Sequence, residues 1–87
     1  MNIGTYMTLL TGLYREFIRS NYDVDKAINI YISKSSIHER NLPPKSREFM
    51  KNSILKIYEE VKNENQEPSD ARIWGIGEKL FKEASNN

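Results

Sequence analysis

The chain has no cysteine and only one histidine, which removes much of the side-chain chemistry open to a small domain. Disulfides, thiolate nucleophiles and zinc–thiolate centres are excluded. Charge of one sign is also missing: 13 basic residues face 12 acidic ones, for a formal net charge of +1. Such a balance argues against a protein that coats a polyanion and against an acidic mimic of nucleic acid. No uninterrupted apolar run approaches the ~20 residues that span a bilayer. The opening stretch MNIGTYMTLLTGLYREF lacks the basic start of a secretory signal. These absences lead us to expect no membrane insertion and a cytoplasmic setting.

What is present suits one small core. The 87 residues include five tyrosines, three phenylalanines and one tryptophan, too many aromatics for a disordered chain. A mean hydropathy of −0.70 requires a wet, charged surface. No internal repeat occurs and the linkers are ordinary in composition, so residues 1–87 are expected to form a single helical domain.

The apolar spacing predicts an all-α fold, a compact four-helix bundle or orthogonal array with helices near 3–20, 24–33, 45–63 and 70–84. Ile3, Tyr6, Met7, Leu10, Leu13, Tyr14, Phe17 and Ile18 recur at threes and fours, the helical period. Asp23 suits an N-cap for the second helix, where Val24, Ala27, Ile28, Tyr31 and Ile32 share a face. Ile28, Ile30 and Ile32 also alternate as a strand does, but no other segment offers a pairing partner. In SKSSIHERNLPP, Ser36 and Glu39 have the spacing of a capping box for one short turn, and Pro43–Pro44 stops it. Met50, Ile54, Ile57 and Val61 form the seam of the third helix, with a Lys56–Glu60 pair outside. Ser69 or Asp70 opens the last one. Leu10, Leu13, Phe17, Ile54, Ile57, Val61, Leu80 and Phe81 are expected to be the most buried positions.

Two glycines flank Ile76 in WGIGEKL, although glycine weakens a helix by ~1 kcal/mol. At about 100° per residue, Gly77 falls on the apolar arc with Ile73 and Leu80, where a small residue admits a neighbouring helix. Gly75 points away, among Arg72, Lys79 and Lys82. On the first helix, Thr5, Thr8, Gly12, Arg15 and Arg19 lie opposite the apolar arc. A strip this small and this short of charge in its first half suits either coverage by the domain's own helices or a second contact.

Motifs for chemistry fail one by one. IHERNL begins like the zinc helix H-E-x-x-H, but Leu42 stands where the second histidine belongs and no other histidine exists. One histidine in a loop is a thin basis for a nucleophilic triad. The acidic residues are spread along outward faces, and the bare Gly75–Gly77 spacing lacks the preceding strand and third glycine of a dinucleotide loop. No metal, no cofactor and no enzymatic activity are expected. One charged feature is left: Arg40, Lys45, Arg47, Lys51 and Lys56 against Glu48 alone. With Ser46 and a helix start, this stretch has the makings of an anion site, or of a merely solvated surface. Phe49, off the seam, reads as a staple against the proline turn.

In size and amphipathic pattern the chain resembles the small four-helix immunity proteins of pediocin-like bacteriocins, and short phage and plasmid regulators. The resemblance is carried by no diagnostic motif; it implies a small helical domain and assigns no site residue. The expected function is non-enzymatic: a regulatory, adaptor or inhibitor-type module that binds another protein, or a second copy of itself, through Thr5, Thr8, Gly12, Arg15 and Gly75. The alternatives are a nucleic-acid-associated regulator holding phosphates on Arg40, Lys45, Ser46, Arg47 and Lys51, and a bacteriocin-immunity-like protein.

Overall fold

The computed structural model describes residues 2–34 and 44–85. Among them are four helices and no strand: α1 (Ile3–Arg19), α2 (Val24–Lys34), α3 (Pro44–Val61) and α4 (Asp70–Ser85). The Ser36–Glu39 capping box, His38 and Arg40 lie outside the described residues.

Local chemistry accounts for the ends. The Asn2 side chain accepts from the Thr5 amide at 2.8 Å, Asp23 from the Lys26 amide at 3.1 Å and Ser69 from the Arg72 amide at 3.2 Å. Each satisfies one of the amides that a helix start leaves without a partner. Pro44 opens α3, where its missing N–H is not needed. Helix α1 closes with a Schellman motif: Tyr22 N–H donates to Phe17 O (2.9 Å) and Asn21 N–H to Ile18 O (3.1 Å), with Asn21 left-handed at φ 57°.

Helix α1 is central. It touches α2, α3 and α4, and α3 also touches α2 and α4. The Cα atoms span 36 × 32 × 17 Å, and the short dimension fits two helix layers. Leu10, Leu13, Phe17, Ile54, Ile57 and Val61 are buried as expected, joined by Tyr6, Tyr14, Ile73 and Ile76.

Leu80 and Phe81 correct the expectation, because both are only partly buried. The buried residues of α4 lie a turn earlier, at Ile73, Ile76 and Gly77, and there a Cβ on Gly77 would meet Leu10 and Met7 of α1. Farther along, Phe81 still meets Tyr6, centroids 5.2 Å apart, but with Ala84 it borders an open cleft beside Lys45 and Phe49, so that end is only partly covered. Phe49 stacks on Tyr6, centroids 5.1 Å apart, and so seals the core edge; the staple expected against the proline turn involves Pro43, which lies outside the described residues. The Lys56–Glu60 pair does not form; the short-range pairs among the described residues are Arg19–Glu16, Lys62–Glu59 and Lys82–Glu78.

The two glycines of α4 differ as the wheel predicts. A Cβ on Gly77 would stand 2.6 Å from Leu10 Cδ2, whereas one on Gly75 would meet nothing within 4 Å. Gly77 sets how closely α1 and α4 approach.

Candidate functional site

The outward side of α1 has a different neighbour on each flank. Toward α4, Arg15 donates to both carboxylate oxygens of Asp70 at 2.7 and 2.8 Å, and Trp74 Nε1–H donates to Thr11 Oγ1 at 2.9 Å. With Gly77 against Leu10 and Met7, these contacts run antiparallel along the two helices. Toward α2, Lys34 Nζ donates to Glu16 at 2.9 Å, and the Tyr31 ring lies where a Cβ on Gly12 would be, at 2.8 Å. Between the two flanks a strip of α1 stays exposed, with Gly4 and Thr8 at its centre.

The nominated residues therefore separate. Thr5 and Thr8 are exposed, and Thr8 Oγ1 donates back to Gly4 O at 3.0 Å. Arg15 is exposed but tied to Asp70. Gly12 is a correction: Tyr31 of the same chain covers it, so its small size serves the α1–α2 contact rather than an open face. Gly75 is exposed but sits on the far side of α4, over a shallow surface bordered by Glu78, Lys79 and Lys82. Trp74, which is not among the nominated residues, is half exposed at 50%. Its polar N–H is already bonded, so the ring is fixed.

The basic stretch is divided by its own helix. Lys45 and Ser46 face the C-terminal end of α4 beside Phe81 and Ser85. Arg47 borders a small apolar pocket with Leu9, Ile28 and Met50. Lys51 pairs with Asp25 of α2 at 3.2 Å. Lys45, Arg47 and Lys51 thus face different ways, and the three do not by themselves line one groove; Arg40 lies outside the described residues.

Buried polar groups were not foreseen. Glu16 is 6% exposed, contrary to the expectation that the acidic residues all face outward. Its hydrogen bond from Lys34 holds the carboxyl below its ordinary value of 4.5 against the opposing effect of burial, with Arg19 at 3.3 Å adding to the pull. Tyr6 Oη donates to Ser53 Oγ, which donates to Phe49 O, both at 2.8 Å. Burial raises the Tyr6 hydroxyl above 10.0, and the Ser53 bond offsets part of that. Among the described residues no group of three or more histidine, cysteine, aspartate or glutamate side chains is placed to hold a metal. No helix there is long and apolar enough to cross a membrane. The chain matches no family model, no curated protein and no solved structure.

Proposed function

We propose that this chain is a small non-enzymatic protein-binding module, regulatory or inhibitory in type, whose partner lies along the exposed strip of α1 beside Trp74. A cytoplasmic setting belongs to the same proposal. The observation that carries it is the half-exposed indole with its N–H already satisfied by Thr11. A large aromatic held rigid at the surface loses little freedom on binding and makes an effective anchor. Thr8 and Gly4 beside it are small enough to admit a partner's backbone, and Arg15 adds a charged rim.

The test pairs capture with stability. The wild-type chain, Trp74→Ala and Thr8→Lys are each used to capture partners from an extract of the source cell, and each is melted. Retention by the wild type that both variants lose, with melting midpoints near wild type, supports the reading. A partner retained equally by all three removes this face as the interface.

A further inference from the structure

A recess that Trp74 does not line opens where the end of α1 meets the linker after α3. It is a cleft of about 290 Å³ lined by Tyr14, Tyr22 and Tyr58, with Glu64, Glu67 and Pro68 of the linker on its rim. The rings form a continuous cluster: Tyr22 and Tyr58 lie 5.3 Å apart, and each meets Phe17 edge-on, at 5.5 and 5.6 Å.

Two features set this recess apart from ordinary packing. The first is backbone conformation. The cap of α1 needs one left-handed residue, Asn21, yet Tyr22 is left-handed too at φ 65°, a rare and costly state for a bulky side chain. It keeps Tyr22 tilted against Tyr58 and edge-on to Phe17 while half the residue, 52%, stays exposed. The second is charge. Lys62 also borders the cleft, but its ammonium is held by Glu59 at 2.9 Å. Glu64 is matched by Arg72 at 3.0 Å. Glu67 makes no ion pair among the described residues, which leaves a carboxylate beside three electron-rich rings.

We propose that this cleft binds an organic ammonium group, with the cation against the faces of Tyr22 and Tyr58 and its charge balanced by Glu67. Aromatic rings attract cations through their quadrupole, and a cluster of rings with a nearby carboxylate is the arrangement that recognises alkylammonium. Burial, helped by nearby Tyr22, Tyr58 and both glutamates, pushes the Tyr14 hydroxyl up to about 12, the direction expected of a phenol lining an apolar, acid-rimmed cleft. The ammonium can belong to a small molecule or to a lysine side chain.

The experiment is an NMR titration of the full chain with choline and, separately, with its uncharged isostere 3,3-dimethyl-1-butanol. The tyrosine ring and residue 64–67 amide resonances report the cleft, and the Trp74 indole, which does not line it, serves as the control. Choline is expected to shift the cleft resonances saturably and leave Trp74 still, with the neutral isostere weaker by about fivefold or more. Glu67→Gln, an exposed change that preserves the fold, should weaken choline by several-fold, and Tyr22→Leu should do so more strongly. A third titration with Nα-acetyl-lysine methylamide ranks the sources: tighter binding than choline assigns the site to a lysine side chain, weaker binding to a quaternary small molecule. Equal affinity for choline and the isostere, an unchanged Glu67→Gln variant, or no saturable shift would each overturn the proposal.

Discussion

The same substitution at two neighbouring glycines of α4 should have opposite consequences. Replacing an exposed helical glycine with alanine stabilises by ~0.4–1 kcal/mol, because the unfolded chain loses freedom. At Gly75 nothing lies within 4 Å of the new methyl, so the full gain is expected. At Gly77 the same gain competes with a methyl placed 2.6 Å from Leu10 Cδ2 and 3.2 Å from Met7 Sδ. Met7 is flexible and only partly buried, so its sulfur can yield. Leu10 is completely buried, and moving it strains the core by ~1–3 kcal/mol. The net for Gly77→Ala is therefore a loss of ~0–2.6 kcal/mol, and Gly77→Leu should lose more. In a domain of this size ~1 kcal/mol moves the melting midpoint by about 4–8 °C, so thermal unfolding followed by circular dichroism resolves the pair. A Leu10→Ala background removes the clashing methyl and should turn Gly77→Ala from harmful to mildly stabilising, a coupling expected only of residues in contact. The same response at both glycines, or an unchanged effect of Gly77→Ala in the Leu10→Ala background, would refute the close crossing of α1 and α4.

The other buried features make separable predictions. Ser53→Ala strands the buried Tyr6 hydroxyl and should cost ~1–3 kcal/mol. Tyr6→Phe leaves Ser53 bonded to Phe49 O and should cost only ~0.5–1.5 kcal/mol; urea unfolding of the two variants orders them. Ser20 Oγ is buried with no hydrogen-bond partner among the described residues, so Ser20→Ala should be neutral or raise the melting midpoint. Glu16 titrates below 4.5 in the folded chain. Its pairs therefore contribute in full above that pH, and the contribution is lost as pH falls through the lowered value. Lys34→Ala should flatten this acid limb and lower stability at neutral pH. The same acid dependence in wild type and in Lys34→Ala would contradict the pairing.

Much of the fold was legible because its signals are local. A three-and-four spacing over α1, a capping aspartate at residue 23, a proline at the start of α3 and a serine before α4 each act within a turn or two of chain. The strand-like alternation of Ile28, Ile30 and Ile32 was outweighed in the same way: the Asp23 cap and the buried Val24–Ala27–Ile28 face act together. Gly77 was readable as well, since a glycine on an apolar arc has few purposes. Leu80 and Phe81 were overrated because a wheel gives direction and not depth. Their arc points inward, but beside α3 they border open clefts with Lys45, Phe49 and Lys56 and stay only partly buried.

The candidate site was legible only in half, and the reason is pairing. Thr5, Thr8 and Arg15 were found as a strip lacking the usual lysines and glutamates, a property of one helix alone. Whether a strip is open depends on which helices flank it, and no residue of α1 announces that α2 sets Tyr31 over Gly12 while α4 sets Trp74 on Thr11. Glu16 shows the same limit: it belongs by spacing beside Leu9 and Leu13, and only Lys34, 18 residues onward, makes its burial tolerable. In each case the partner comes from another helix. The consequence for function is specific. The small residues of α1 divide between bringing its own neighbours close, as Gly12 does, and leaving a gap between them, as Gly4 and Thr8 do. A lysine at Gly12 should therefore unfold the α1–α2 contact, whereas a lysine at Thr8 should leave folding intact and act only on whatever docks beside Trp74.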